Sequence, residues 1–441
     1  MKKRSEHALD RLFGLRPEER GLVLRAASVY ALILTANYML RPLRDALGIS
    51  GGADKLPWLF TATFVGMLIA APLIGWASAR LGRARLIQAV YGVCALVLTG
   101  LWLGLQFGPR LWTSYGFFVW ISIFNLIAVS MLWSVLTDRM RTAEASRLFG
   151  LVAFGGSVGA LVGPSIAALV ATFLVADHLL LIAALMLLIA LVVGRPLWQS
   201  TAEHALPGDG EPLGGGPFEG LQQILKTPAL AGLCVYLLLM TTTSTVVYFE
   251  QETLIERSFH DDSSRTAVLA GLDIAVNTLS LAAQALLTGR LLHRLGLAFA
   301  LTSLPLITAL GLSALGFAPV LAVLVGLQVI RRATNYALAK PAREVLFTAL
   351  PRSTRYKAKS LIDTVVYRGG DALAGWAFAG LSALGLGLGA IAGLTAPLAL
   401  AWMVIGWRLG TITKTSKPSP DPEEKPRNRS VTSPEACLKK D

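Results

Sequence analysis

Charged side chains set inside apolar runs are the residues of this sequence best suited to chemistry. The run "LIDTVVYRGGDALAGW" carries Asp363 near one end, Arg368 deeper and Asp371 deeper still. Arg368 and Asp371 are three residues apart and share one helix face. An ion inside a bilayer is costly unless paired or wetted, so such residues are functional candidates by default. The same pair would also serve as a static clamp between helices. Asp273, with Asn277 one turn on, is a second candidate. Arg331, Arg332 and Asn335 stand in another run, where the arginines could instead snorkel toward the membrane surface. Tyr38, Arg41 and Arg44 close the first apolar run. Two guanidiniums three residues apart suit a multiply charged anion such as phosphate, through bidentate bonds; an interfacial anchor would use the same residues. Lys340, Arg343, Lys357 and Lys359 would raise the local concentration of anions at the other end of the bundle.

The elements that hold these residues follow from composition. Of 441 residues 54% are hydrophobic and 15% charged, and the mean hydropathy is +0.59. A soluble chain would carry roughly a quarter charged residues. Twelve apolar runs, near 22–40, 58–79, 86–106, 111–135, 148–173, 178–198, 229–249, 267–291, 297–316, 318–339, 361–383 and 386–409, are long enough to span a bilayer. Lipid offers no partner for open backbone groups, and the runs are too long and too uniformly apolar for barrel strands, so helices are expected. The fold class expected is an all-α membrane protein of twelve transmembrane helices.

Basic residues gather in alternate connections: Arg80, Arg83 and Arg85; Arg139, Arg141 and Arg147; Arg290 and Arg294; Lys340 to Lys359. The opposite connections are short or acidic, as with Glu250, Glu252, Glu256, Asp261 and Asp262, and Gly51, Gly52 and Pro57 shape the first of them. This positive-inside pattern places both termini in the cytoplasm. It also accounts for the net charge of +13 without a nucleic-acid partner. The opening 1–21 lacks an apolar segment near the terminus and reads as a cytoplasmic lead-in rather than a signal peptide.

Residues 200–228 form the longest polar connection and divide the spans into halves, 22–199 and 229–410, with a Pro- and charge-rich tail at 411–441 that should be disordered. The halves share a register. Gly75, Arg80, Leu81 and Gly82 precede Gly289, Arg294, Leu295 and Gly296 by 214 residues, and the same offset carries Gly155-Gly156 onto Gly369-Gly370. A duplicated six-helix unit is the build of the major facilitator fold. Gly155, Gly159 and Gly163 repeat every fourth residue, a spacing that lets helix backbones approach closely.

Other function classes lack their parts. There is no P-loop, nucleophile elbow, HExxH or paired catalytic histidine. The three cysteines, Cys94, Cys234 and Cys437, have neither disulfide nor zinc spacing, and no cofactor or metal is expected. The chain reads as a transporter rather than an enzyme.

"GWASARLG" resembles the short loop signature of the major facilitator superfamily, with Gly75, Arg80, Gly82, Arg83 and Arg85 in place and Ala79 where an acidic residue is usual. Three longer blocks, 40–64, 132–163 and 335–371, resemble the nucleotide (ATP/ADP) translocase family and its bacterial relatives within that superfamily. The family's motif after span one matches as Leu40, Arg41, Arg44 and Asp45, its acidic residue before span five falls on Glu144, and its later basic block matches Arg343, Glu344, Lys357, Lys359 and Asp363. Arg44 and Arg343 stand where that family has lysine. The resemblance implies a monomeric carrier in the inner membrane of a bacterial cell that exchanges nucleotides, or another phosphorylated or organic anion, by alternating access. Substrate contacts are expected from Tyr38, Arg41, Arg44, Asp273, Asn277, Arg368 and Asp371. Gating at the inner mouth is expected from Arg80, Glu144, Arg343, Glu344, Lys357, Lys359 and Asp363. A proton-coupled facilitator, with Asp273 or Asp371 as proton carrier, and a non-transporting scaffold or lipid-handling enzyme are the alternatives.

Overall fold

The computed structural model describes residues 17–81, 83–139, 142–199, 228–348 and 362–415. Each of the twelve apolar runs falls on a helix. In the first half these are α1 (Pro17–Gly48), α2 (Leu56–Arg80), α3 (Arg83–Phe107), α4 (Arg110–Arg139), α5 (Thr142–Phe173) and α6 (Leu179–Val193). In the second they are α7 (Pro228–Ser258), α8 (Asp262–Ala283), α9 (Gly289–Phe317), α10 (Leu321–Thr334), α11 (Tyr367–Ala383) and α12 (Leu388–Thr415). Ten are long and apolar enough to cross a membrane by that measure alone; α10 and α11, which carry Arg331, Arg332, Arg368 and Asp371, fall outside it.

Short turns reverse the chain after α1, α3, α5, α7, α9 and α11, gathering those ends on one face, here the far face. The ends at Pro17, Arg80, Arg139 and Thr415 lie on the other, the basic face. Turn chemistry is local. Gly52 adopts φ 106° before a 3-10 turn at Ala53–Lys55, and a proline sits in the first turn of α2. Asp261 caps α8 by accepting the Ser264 N–H at 2.8 Å, and these Ser264 hydrogen bonds hold its carboxyl below the usual range. Helix α2 ends at Arg80 with Leu81 extended, and α9 departs from helical geometry at Gly296, where φ is 79°.

Two helix ends differ from the sequence expectation. Helix α1 does not stop at Leu40; it continues through Pro42 to Gly48, so Arg41, Arg44 and Asp45 lie inside a helix rather than in a loop. Helix α7 likewise runs past 249 to Ser258 and buries Glu250, Gln251 and Glu252, which are at most 2% exposed. "FEQETLIERS" has no glycine or proline to stop it, and the chain turns only before the Asp261 cap.

The glycine repeat packs α5 on α1. A side chain at Gly159 would come within 2.9 Å of the Thr35 backbone nitrogen, and one at Gly163 within 2.7 Å of the Thr35 carbonyl. In the second half Gly406 of α12 approaches the Leu301 carbonyl of α9 in the same way. The apolar core has three parts. One fills the first half around Ile33, Tyr91, Phe117 and Phe124. Another fills the basic-face side of the second half around Tyr236, Leu301 and Trp402. The third joins the halves at the far face, where Ile49, Leu56 and Phe118 pack with Phe249, Ile255, Leu324 and Phe378. Exposed leucines such as Leu96 and Leu310 clothe the exterior, as a lipid-facing surface requires.

Candidate functional site

The charges meet where α1 faces α8 and α10. Asp273 of α8 accepts from Arg332 Nη2 at 2.6 Å and faces Arg41 Nε at 3.9 Å, with 5% of its side chain exposed. One buried carboxylate is thus shared by a guanidinium from each half. Arg44 turns aside to its neighbour Asp45, donating through Nε at 2.8 Å, and stacks over Phe118 at 4.9 Å. Asp45 in turn accepts from the Tyr248 hydroxyl at 2.8 Å, a bond between α1 and α7. Arg41 and Arg44 therefore share a helix face but have different partners.

On the basic-face side of this cluster a cavity of about 420 Å³ opens between the halves. Tyr30, Tyr38 and Ser157 line it from one half, and Asn277, Gln284, Tyr336, Lys340 and Glu344 from the other. Asn277 also donates to the Ala160 carbonyl at 2.7 Å, tying α8 to α5. Three π-helical turns, Gln284–Thr288, Asn335–Ala339 and Ile362–Val366, interrupt the helices on this side. Such turns often mark functional stretches of helix. On the far face the halves are bridged: the Ala53 N–H donates to Glu256 at 3.1 Å, Arg110 to Asp262 at 2.8 Å and Trp376 to Thr61 at 3.0 Å. The far face is closed, and the cavity belongs to the basic-face side.

Arg368 and Asp371 pair within α11 at 3.6 Å, and Asp371 accepts from Thr245 of α7 at 3.2 Å. They form a separate cluster, outside the group around Asp273. Arg343 is half-buried with Nη1 3.3 Å from Met240 Sδ. Arg80 is exposed and stacks over Trp76 of its own helix at 4.5 Å. The side chains of Glu144 and Asp363, and the whole of Lys357 and Lys359, lie outside the described residues.

Sequence reasoning missed several members. Arg332 does not snorkel; it is the nearest partner of Asp273. Arg331 is buried, 8% exposed, and donates to Ser244 and Gln328 at 2.7 Å each. The signal was present: Arg331 lies four residues before Asn335 and ten after Leu321, the start of α10, too deep to reach either surface. Gln251 was hidden by ending α7 too early, and Tyr248 lay inside the 229–249 run without being singled out.

The sequence matches the family described as Major Facilitator Superfamily over residues 22–342. The chain belongs to that superfamily. Its members are secondary transporters, and the all-helical architecture of two pseudo-symmetric six-helix halves agrees. Among solved structures, the nucleoside transporter NupG aligns with a TM-score of 0.65 at 13% identity, covering 90% of this chain and 100% of that one. A bacterial homologue of the human lysosomal transporter Spinster, inward-facing and unoccupied, aligns at 0.60 and 15%, covering 92% and 100%. A D-xylose–proton symporter aligns at 0.63 and 15%, covering 88% and 97%. At these identities the likeness concerns the fold. No curated protein matches the sequence significantly.

Proposed function

We propose that this facilitator exchanges organic anions of the nucleotide class across a bacterial inner membrane, with both termini and the basic face in the cytoplasm. The observation that carries the reading is the Asp273 carboxylate held between Arg41 and Arg332, within a helical turn of Tyr38 and Asn277 in the wall of the 420 Å³ cavity. An anionic group entering from the basic face would meet two guanidiniums already aimed at a carboxylate and would compete with Asp273 for them. Tyr38, Asn277 and Tyr336 would contact the uncharged part. The halves 22–199 and 229–410, joined by 200–228, would rock about this junction. Exchange follows if the Arg41–Asp273 contact between the halves slows reorientation of the unloaded carrier. The resemblance of the Arg41–Asp45 and Arg343–Asp371 stretches to nucleotide translocases supports the substrate class.

The test is uptake of labelled ATP into proteoliposomes of purified protein, with and without unlabelled ADP inside. Stimulation by internal ADP supports nucleotide exchange; absent uptake by folded protein rejects it. Proton-coupled transport of a metabolite is a second reading. It draws on Asp371, a buried carboxylate whose guanidinium partner stands 3.6 Å away. A response to a pH gradient without any effect of internal nucleotide would favour it.

A further inference from the structure

A second, smaller cavity of about 60 Å³ lies beyond Asp273 toward the far face, lined by Arg41, Asp45, Tyr248, Gln251, Asp273, Gln328, Arg331 and Arg332, with Leu269 closing one side. Its charges do not balance. Asp45 is engaged by Arg44, and Asp273 is shared by Arg41 and Arg332. Arg331 has only the neutral Ser244 hydroxyl and Gln328 carbonyl oxygen as acceptors, and among the described residues it pairs with no carboxylate. Glu252 lies behind Gln251 and accepts from it at 3.0 Å rather than reaching the arginine. A buried guanidinium without a counter-charge is costly. Two further N–H donors, the Nε groups of Arg331 and Arg332, are buried without an acceptor. The wall thus carries spare positive charge at Arg331, while Gln251 and Gln328 are bonded to each other at 2.7 Å and hold the Arg331 side in place.

We infer that this chamber binds a small inorganic anion, from halide to phosphate in size, on Arg331, which lines the chamber and not the larger cavity. The chemistry required is anionic: the lining side chain that lacks a counter-charge is the Arg331 guanidinium, whose acceptors are both neutral. The volume is enough for one such ion, being several times that needed for a single water, about 10–15 Å³, and too small for an organic substrate of drug size, about 300 Å³ or more. The bound ion would neutralise Arg331 whichever organic molecule the carrier moves.

The test uses full-length protein purified into detergent in sodium gluconate, an anion too bulky for the chamber. Thermal unfolding is followed while chloride or phosphate replaces gluconate at constant ionic strength. The expected result is a saturable rise in midpoint for chloride, phosphate or both, their order identifying the preferred ion. Arg331→Gln should raise the half-saturating concentration at least tenfold, the loss of one or more charge-assisted hydrogen bonds. If that variant does not fold, the wild-type series still decides. Identical midpoints in gluconate, chloride and phosphate overturn the inference, as does an Arg331→Gln protein that responds like wild type. The experiment needs no flux, so its failure is distinguishable from a failure of nucleotide exchange.

Discussion

Replacing Asp273 with Asn removes one charge and almost no volume from the junction between the halves. The native carboxylate accepts from Arg332 at 2.6 Å and faces Arg41 at 3.9 Å, with 5% of the side chain exposed. Asparagine keeps one oxygen for Arg332, so the geometry survives while the compensation does not. Leaving a buried charge without its partner costs about 3–5 kcal/mol. The retained hydrogen bond, at about 1 kcal/mol, places the expected destabilisation near 3 kcal/mol, the lower bound of that range. An incoming anion must otherwise displace Asp273 from both guanidiniums. The lost energy should therefore reappear as tighter anion binding, by up to about two orders of magnitude at 1.4 kcal/mol per decade. Release slows in proportion. In initial-rate uptake of labelled ADP by proteoliposomes loaded with ADP, the half-saturating concentration and the maximal rate should fall together. Asp273→Glu, which keeps the charge, should recover part of the maximal rate. A merely structural role would lower the rate and leave half-saturation alone. An unchanged or raised half-saturating concentration in the Asn variant would refute the competition between Asp273 and substrate.

Two other outcomes follow from packing and from the far-face bridges. Gly159→Val should destabilise the fold by about 1–3 kcal/mol or more through overpacking against α1, because its Cβ would fall 2.9 Å from the Thr35 nitrogen. Gly116→Val, with no atom within 4 Å of the new Cβ, is the control, and paired thermal unfolding of the two checks the contrast. Asp262→Asn breaks the cross-half bond to Arg110 while leaving Arg110 on Asp177 at 2.6 Å. That pair is half-exposed and worth about 0.2–1 kcal/mol, so the far-face-open population should rise up to about fivefold. Spin labels at Phe107 and His260 would read it as a longer distance component; an unchanged distribution would show that the pair is not a latch.

The spans were legible because lipid demands about 20 apolar residues per helix, a pattern few soluble segments imitate. The close-packing face of α5 was legible in the spacing of Gly155, Gly159 and Gly163, which lets backbones approach; that α1 is the helix packed there came only from the structure. What failed was the depth of the polar residues. Pro42 and the charges after it looked like the end of a span, yet proline in a long helix only removes one hydrogen bond, and the helix continued. The same bias set Glu250 and Glu252 outside the membrane. Polarity in a sequence marks a loop or a site with equal force, and only tertiary partners separate them. Arg332 shows this best. Its assignment depended on Asp273, 59 residues away on another helix, and no local pattern encodes that pairing.

The placement of the bridges bears on how the carrier can turn. The three cross-half hydrogen bonds at the far face are each modest, about 0.5–1.5 kcal/mol net. Apolar packing holds that face more strongly, because opening would wet the shared cluster of Ile49, Leu56, Phe118, Phe249 and Phe378. Opening the far face is therefore unfavourable unless the basic face closes and buries comparable surface from the walls of the larger cavity, where Leu34, Ala153 and Leu281 stand among polar residues. Those walls are more polar than the far-face cluster, so apolar burial alone favours the conformation seen here. The deficit has to be met by something that binds the other state better. An anion that replaces Asp273 on Arg41 and Arg332 sits between the halves and can stabilise closure from within the cavity, whereas the ion inferred at Arg331 touches the second half and would neutralise charge in either state. On this reasoning the substrate drives the turn, and the inorganic ion lowers the cost of keeping Arg331 buried while it happens.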